Sequence, residues 1–379
     1  MNVRETLREL IAINSVSSNS NAEIIRYLTT RVETIGLRTR TFDYTDAAGT
    51  RKTNLVAFTP NTNETHVELA LVGHTDTVPF GAAWTESLTL TERAVAGETR
   101  LYARGACDTK GFIAAALTAV ERVDLAQLTR GLALVFTADE ELGCIGAKHL
   151  ADAHAFTARH AIVGEPTKLQ PMRAGKGYCL ADISVRGREA HSAYTHLGAS
   201  AIFRAARLIN RIEHIAENLK RDSHAEFDPP HTTANIGIIS GGTAKNVLAG
   251  ECRFTLEWRP VPGQNPRRVV EEIEAAIAEL RADDAGFDAS IEVTRLDGGI
   301  ETPADAPLVR WLENASGKQA GTVAFGTEAP QLRQLGADAV VFGPGDIRVA
   351  HTDEEYAPLA DLQRCALILR AAVKHFCIA

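Results

Sequence analysis

The sequence predicts an α/β fold: a domain with a mixed, mostly parallel sheet, interrupted by an inserted ferredoxin-like α+β domain. Short apolar strands alternate with helices in the first part of the chain, as in a parallel sheet covered on both faces. The middle part instead has period-two strands and long amphipathic helices in the order β-α-β-β-α-β. The chain has 379 residues, more than one typical core accommodates. We therefore predict that residues 1–174 and 295–379 form the first domain and that residues 175–294 form the insert.

The first domain begins with helix and strand signals that are easy to separate. Apolar residues recur at helical spacing in "AEIIRYLTTRVETIGL", and Gly36 ends that pattern. "THVELALVGH", "GLALVFT" and "RHAIVG" are apolar runs of strand length. Helices are predicted for "KGFIAAALTAVERV" and "GCIGAKHLADAHAF", which separate those runs. After the insert, "ADAVVFGPG" predicts another buried strand.

The insert shows strands of a different type. "YCLADISVRG" alternates polar and apolar residues, and "GASAIFRAARLINRIEHIAENLK" is a long amphipathic helix. Two strands around a Gly-Gly turn follow in "TTANIGIISGGTAKNVLAGECRFTLEWRP". We predict that Asn265 caps the next helix, with Pro266 at its first position. "FDASIEVTRL" completes the set as an alternating strand.

Composition excludes several classes of partner. The net charge is −8, which argues against nucleic acid and anionic membranes as partners. No run of 18 or more apolar residues occurs, and the start of the chain lacks the apolar core of a signal peptide. The six cysteines form no CxxC pair. We therefore expect reduced thiols and a cytoplasmic location.

Polar residues with metal-binding chemistry follow the predicted strands of the first domain. They are His74 and Asp76 after "ALVG", Asp108 after "YARGAC", Glu140 and Glu141 after "LVFTAD", Glu165 after "AIVG", and His351 after the last strand. Ligands of open α/β sheets bind at the carboxyl ends of strands. Carboxylates that converge there repel one another and destabilise the fold unless cations neutralise their charge. An acidic run of this kind also contributes nothing to a hydrophobic core.

Imidazole and carboxylate ligands without thiolates favour two Zn²⁺ ions over Mg²⁺ or Ca²⁺, although Co²⁺ or Mn²⁺ could occupy the same positions. A shared carboxylate can bridge two metals about 3.5–4 Å apart, the separation used in assisted hydrolysis. The sequence therefore predicts a dinuclear metal centre.

The motifs "GHTDTVP", "GACDTKG", "TADEELG" and "GEPT", with a late histidine, resemble the dinuclear zinc deacylase and exopeptidase family over the whole chain. The resemblance implies that Asp108 bridges two metals, with His74 and Glu165 on one and Glu141 and His351 on the other. It also implies that the Asp76 carboxylate orients the imidazole of His74. Glu140 then matches the general base.

The resemblance also assigns roles within the insert. It implies that the partner subunit of a homodimer lends His191 to the site, where it stabilises an oxyanion, and that the insert forms the dimer interface and a lid. Asn246 in "AKNVLAG" and Arg259 in "LEWRP" match residues that face the substrate, and an Arg fork suits a carboxylate.

The substrate class implied by the resemblance is a small N-acyl amino acid. The stretches "GEPTKLQPMRAGKG" and "FGTEAPQLRQLGADAVVFGPGDIRVAHTDEEY" most resemble the branch that hydrolyses an N-acetylated amino acid with a cationic side chain. This resemblance implies that Glu328, in "GTEAP", lies near the active site and could pair with that side chain. Other N-acyl amino acids, acetylated or succinylated, stay open as alternatives, as does dipeptide cleavage. A non-enzymatic scaffold of this fold would be expected to lack a ligand or the base, and this chain has both.

Overall fold

The computed structural model describes residues 1–60 and 65–378, which form two compact units. The first unit contains Met1–Arg173, Thr302–Gly321 and Thr327–Ala379, and the second contains Ala174–Glu301 and Thr322–Gly326. The second unit runs to Glu301, past the expected boundary at 294, and its strand Asp288–Asp297 already crosses that position. A short return segment of the chain also belongs to it.

The helices in the described part of the chain are α1 (Val3–Ile11), α2 (Ala22–Ile35), α3 (Lys110–Val120), α4 (Ile145–Asp152), α5 (Ala201–Leu219), α6 (Arg268–Asp283), α7 (Pro307–Ser316), α8 (Ala329–Gln334) and α9 (Leu359–Cys377). The strands are β1 (Arg38–Thr45), β2 (Arg51–Phe58), β3 (His66–His74), β4 (Thr91–Val95), β5 (Glu98–Tyr102), β6 (Leu132–Thr137), β7 (Thr157–Val163), β8 (Met172–Gly175), β9 (Tyr178–Arg186), β10 (Thr233–Gly241), β11 (Glu251–Arg259), β12 (Asp288–Asp297), β13 (Ile300–Glu301), β14 (Gly321–Val323), β15 (Asp338–Val341) and β16 (Tyr356–Pro358).

The main sheet of the first unit has the strand order β1-β2-β6-β3-β7-β15, followed by β8. The central strands β6, β3, β7 and β15 run parallel to one another, whereas β1, β2 and β8 pair antiparallel with their neighbours. Strand β6 is buried along its whole length, as its continuous apolar run requires. The parallel core places the carboxyl ends of β3, β6 and β7 at one edge of the sheet, as the sequence predicts.

The buried helix α3 packs against α1 and α9 and covers the sheet beside β3. Helix α2 ends at Gly36, which has a φ of 99°, a left-handed conformation that glycine adopts without steric cost. A separate small sheet has the order β16-β5-β4.

The second unit is a four-stranded antiparallel sheet in the order β10-β11-β9-β12, with α5 and α6 packed against it. The chain order β-α-β-β-α-β with this strand order is the ferredoxin-like arrangement. One detail of the prediction is wrong. Helix α6 begins at Arg268, and the side chain of Asn265 accepts a hydrogen bond from Arg267 N at 3.0 Å in the turn before it.

Among the helices of the described residues, none combines the length and the hydropathy that crossing a membrane requires.

Candidate metal centre

Three elements of the main sheet deliver side chains to one edge. His74 is the last residue of β3, Glu140 and Glu141 follow β6, and Glu165 follows β7. Asp108 arrives differently from the prediction, because the strand before it, β5, belongs to the small separate sheet. Asp108 lies instead in the loop that leads into α3, whose first residue is Lys110.

Asp108 lies between two imidazoles. Its Oδ1 is 2.9 Å from His74 Nε2, and its Oδ2 is 3.3 Å from His351 Nε2. The same His351 nitrogen is 3.1 Å from Glu141 Oε2. Ligand atoms of His74, Asp108 and Glu141 all lie within 4.8 Å of one another. One carboxylate with an imidazole at each oxygen is the arrangement expected of a bridging ligand.

These separations fit a metal centre. Two ligand atoms held about 2.0–2.1 Å from a tetrahedral zinc ion lie roughly 3.3 Å from each other. The separations around Asp108, between 2.9 Å and 3.3 Å, are close to that value. Imidazole nitrogen and carboxylate oxygen are also ligands that zinc accepts. Cys107, next in the chain, is not part of the set, since its thiol points to the carbonyl oxygen of Asp346 at 3.5 Å.

The charge of the site also favours cations. Burial raises the pKa of Glu165 well above its usual value, and the neighbouring charges of Asp108 and Glu140 raise it further. Burial would likewise raise the pKa of Asp108, but hydrogen bonds from His351 and His74 hold it below its usual range. Several carboxylates buried at one place destabilise the fold unless a positive charge compensates them.

The Glu140 carboxyl group is close enough to His74 for the charges of the two groups to interact. Burial raises the pKa of its carboxyl group to about 8, and the nearby Glu141 adds to that increase. Its Oε1 accepts a hydrogen bond from the thiol of Cys144 at 3.3 Å. A carboxyl group with a pKa near neutrality can both take and return a proton, which is the property that a general base needs.

The contacts of Asp76 differ from the expected ones. The Nδ1 of His74 lies 3.0 Å from the main-chain carbonyl oxygen of Asp76 but 3.7 Å from its carboxylate. The carbonyl therefore fixes the ring, which leaves Nε2 free to bind a metal. The carboxylate accepts hydrogen bonds from Ser17 Oγ at 2.8 Å and from the N–H groups of Glu140 and Glu141 at 3.1 Å and 3.2 Å.

Glu328 lies in the first unit, at the residue before α8, and is only 1% exposed. Burial raises the pKa of its carboxyl group to about 7, in a position that also feels the charges of His74 and Asp76. Both carboxylate oxygens are shielded from solvent. A substrate ammonium could touch this carboxylate only if the surrounding structure moved, so the predicted direct contact does not fit this conformation.

The remaining predicted residues lie in the second unit. His191 and Asn246 are on neighbouring segments, because Ser192 N donates to the carbonyl oxygen of Asn246 at 3.0 Å. Ala193 N donates to His191 Nδ1 at 3.1 Å, which makes that nitrogen the acceptor and assigns the ring proton of a neutral imidazole to Nε2. His191 is exposed and could donate that proton in a hydrogen bond.

Arg259 is already partly engaged. Its Nε donates to Glu257 at 2.7 Å, its Nη1 donates to the carbonyl oxygen of Ala324 at 3.1 Å, and its guanidinium lies 4.4 Å from the ring centroid of Tyr178. These contacts hold the guanidinium in one orientation. An oriented fork is suited to a carboxylate ligand, which stays a prediction for this residue.

Residues 70–375 match the model of the peptidase family M20/M25/M40. The chain belongs to this family. It is therefore a hydrolase, and the metal-binding cluster around Asp108 lies within the matched part of the chain.

Curated relatives of the family cover almost the whole chain. An acetylornithine deacetylase from Myxococcus xanthus is 54% identical over 99% of this chain and 97% of its own length. An acetylornithine deacetylase from Proteus mirabilis is 33% identical over the same shares, 99% and 97%.

Solved structures of other proteins share the fold. A tripeptidase from Staphylococcus aureus has a TM-score of 0.77 at 23% identity and covers 97% of this chain and 96% of its own. A dinuclear metal-binding M20 peptidase from Bacillus subtilis has a TM-score of 0.69 at 15% identity, with 100% and 98% covered.

The sequence did not predict two residues, Glu355 and Arg104, that hold the main chain around Asp108 in place. Glu355 is fully buried, and its Oε1 accepts hydrogen bonds from the N–H groups of Cys107 at 2.9 Å and Asp108 at 3.1 Å. Its Oε2 accepts one from Arg104 Nη1 at 2.6 Å. The only sequence signal was the position of Glu355 in "HTDEEY", four residues after His351.

We expect metal binding at pH 7 to release protons. The carboxylates of Asp108 and Glu141 raise the pKa of His351 to about 10 in the metal-free protein, and Asp108 raises that of His74 well above its usual value against the effect of burial. Both imidazoles are then protonated at pH 7, whereas a metal binds only the neutral ring. Release should be on the order of one proton per metal ion, and affinity should increase from pH 7 towards pH 10.

A pH indicator in weakly buffered solution measures this release during a zinc titration. The variant His351→Asn, which lacks one of the titrating rings, should release fewer protons per metal bound. Zinc binding without proton release would contradict the assignment of the two histidines as ligands.

Proposed function

We propose that the protein hydrolyses N2-acetyl-L-ornithine to L-ornithine and acetate, a step of arginine biosynthesis. The observation that carries this proposal is the 54% identity to an acetylornithine deacetylase over nearly the whole of both chains. The geometry around Asp108 agrees with it, since a metal-assisted site of this kind can hydrolyse a linear amide. The reduced thiols fit a cytoplasmic enzyme, because no disulfide bond joins any of the six cysteines, all of which are buried.

Two Zn²⁺ ions are the cofactors that we propose, and Co²⁺ or Mn²⁺ suit the same ligands. Asp108 would bridge them, with His74 and Glu165 holding one ion and Glu141 and His351 the other. When bound, the ions polarise the amide carbonyl and acidify a water molecule. The protein's own contribution is to orient these ligands and to compensate their charge.

Glu140 is the residue that moves the proton. Its carboxylate would accept a proton from the attacking water and then pass it to the departing α-nitrogen. The Cys144 thiol and the main chain hold Glu140 beside the ligands without making it one of them. Proton transfer needs this separation, because a metal-bound carboxylate is a weak base.

The second unit supplies groups for substrate binding. We propose that His191 donates its Nε2 proton to the oxyanion in the site of the partner subunit. Arg259 would bind the α-carboxylate of the substrate, with Asn246 as a second polar contact. For Glu328 we propose an effect through charge, since its carboxylate is buried near His74 and a negative charge there favours a cationic side chain.

A substrate panel tests the proposal. Zinc-loaded protein should release acetate from N2-acetyl-L-ornithine faster than from N-acetyl-L-citrulline, which has a similar shape but no side-chain charge. Glu328→Gln should reduce that preference by lowering kcat/KM for the ornithine compound alone. Chelation should abolish both activities.

Other family substrates serve as the remaining arms of the panel. Preferential cleavage of N-succinyl-diaminopimelate or of dipeptides would replace the proposed substrate with one of these alternatives. Metal-independent release of acetate, or no hydrolysis of any of these compounds, would reject the metal-dependent mechanism.

We propose that the protein is a homodimer formed through the second unit. Strand β10 lies at the edge of the four-stranded sheet and exposes Ile238 and Ile239, which are 68% and 56% accessible. Phe203, on the adjacent helix α5, is 76% accessible. An edge strand with exposed apolar side chains is a template for pairing with a second chain.

Replacing Phe203 with Glu should shift the protein from dimer to monomer. The change adds charge to a side chain that is exposed within one chain, so the stability of the monomer should change by no more than about 0.5 kcal/mol. Sedimentation velocity measures the oligomeric state. Leu367→Glu is the matched control, because Leu367 is a 52% exposed apolar residue of α9 in the first unit. A dimer that survives the Phe203 change would place the interface elsewhere.

A further inference from the structure

A buried ring of hydrogen bonds lies behind the turn that carries Glu140 and Glu141. Lys52 Nζ donates to Asp139 Oδ1 at 2.9 Å and also to the carbonyl oxygen of Ser17. The hydroxyl group of Ser17 donates to Asp76, and Asp76 accepts the N–H groups of both glutamates. Because Asp139 directly precedes Glu140 in the chain, the connections close into a ring.

Every member of this ring is removed from solvent. Lys52 is 1% exposed, Asp139 0%, Asp76 2% and Ser17 3%. Charges at such depth are tolerated only with full hydrogen bonding. That condition is met for Asp139, whose second oxygen accepts a hydrogen bond from the hydroxyl group of Tyr44 at 2.8 Å. Of the acidic residues 139–141, Asp139 is therefore buried in the core and fully hydrogen-bonded.

The backbone at Asp139 explains why a firm anchor is needed. Its φ is 54°, in the left-handed region that non-glycine residues adopt at a cost, although Asp tolerates it better than most. This conformation turns the chain at the end of β6 so that Asp139 points inward while Glu140 and Glu141 leave the sheet edge. The ring holds the turn from both sides, through the side chain of Asp139 and through the two N–H groups bound by Asp76.

We infer that Ser17, Lys52, Asp76 and Asp139 are positioning residues, which set the directions of the base Glu140 and the metal ligand Glu141. The inference rests on the proposed function for the roles of those two glutamates. Neighbouring side chains with different tasks need a fixed main chain, because a small rotation of the turn would move the base and the ligand together. Replacing a residue that hydrogen-bonds a metal ligand commonly lowers metal affinity or activity by about 10–100-fold.

Two single variants and their combination test the inference. Lys52→Met removes the buried cation while keeping a chain of similar length, and Asp139→Asn removes the opposite charge while tolerating the left-handed backbone. Each single variant should lower kcat about 10–100-fold with a smaller change in KM, and should weaken Co²⁺ binding, followed by visible absorption in the absence of substrate.

The double variant separates positioning from plain stability. It has no unpaired buried charge, so its melting temperature should recover relative to Lys52→Met. Its kcat and Co²⁺ affinity should stay low, since the ring remains open. If both recover together with the melting temperature, the ring acts only as core structure and the inference is wrong.

A matched control comes from an unrelated part of the same unit. Leu312→Ala removes a fully buried side chain from α7 and should cost stability without changing Co²⁺ affinity or kcat. Failure of the proposed substrate is visible separately, because the wild type would then bind Co²⁺ but release no acetate from acetylornithine. In that event unchanged Co²⁺ affinity in Lys52→Met would still overturn the inference, and weakened affinity would support it.

Discussion

Replacing Glu140 with Gln is expected to lower kcat about 10²–10⁴-fold while both metal ions stay bound. The amide has nearly the shape of the carboxylate, so the hydrogen bond from Cys144 and the main-chain contacts to Asp76 can persist. What is lost is the ability to accept a proton from water. We propose that the wild-type carboxyl group does this, and burial raises its pKa to about 8 in the metal-free protein.

The adjacent residue, Glu141, provides the comparison for this prediction. Glu141 contacts His351 at 3.1 Å and should be a ligand, so Glu141→Gln should weaken the binding of one metal ion. Metal content by atomic emission and kcat at saturating zinc measure the two variants side by side. Equal metal loss in both, or an unchanged kcat in Glu140→Gln, would show that the two adjacent glutamates do not divide the work in this way.

The predicted fold follows from patterns that are local in the sequence. Strands such as β6 are continuous apolar runs, and the change to alternating strands after residue 175 marks the second unit because its sheet has only one covered face. Local patterns also place His74 and Glu165 correctly, since each comes directly at the end of a parallel strand.

The failures involve contacts between distant residues. No pattern near Asp139 indicates that Lys52, 87 positions away, is its partner. The sequence predicted a contact between the Asp76 carboxylate and His74, but the main-chain carbonyl of Asp76 makes the shorter contact. The carboxylate instead accepts hydrogen bonds from main-chain N–H groups of another loop. Asp108 was assigned to a strand of the main sheet, although strand pairing alone decides which sheet β5 joins. Such pairings depend on the assembled fold and leave little trace in one sequence.

Replacing Glu355 should have a large effect on both stability and metal binding, because its buried carboxylate contacts both Arg104 and the main chain of Asp108. Its side chain and that of Arg104 are 1% and 3% exposed, and their 2.6 Å contact neutralises two charges inside the protein. The other carboxylate oxygen binds the N–H group of Asp108, the residue that faces both histidines. Glu355 therefore connects a buried ion pair to the main chain of Asp108, the proposed bridging ligand.

Glu355→Gln should lower the free energy of unfolding by about 3–5 kcal/mol, because it leaves the Arg104 charge buried without a counter-charge. Urea unfolding of the metal-free protein measures this loss, and zinc titration should show weaker binding as Asp108 loses its charged anchor. Arg104→Met should cost a similar amount, whereas the double variant should cost clearly less than the sum, since no unpaired charge remains. Additive losses would mean that the two residues act independently. If the double variant regained stability but not zinc affinity, the anchor at Asp108 would be separable from the ion pair, as expected if the Glu355 carboxylate itself orients the bridging ligand.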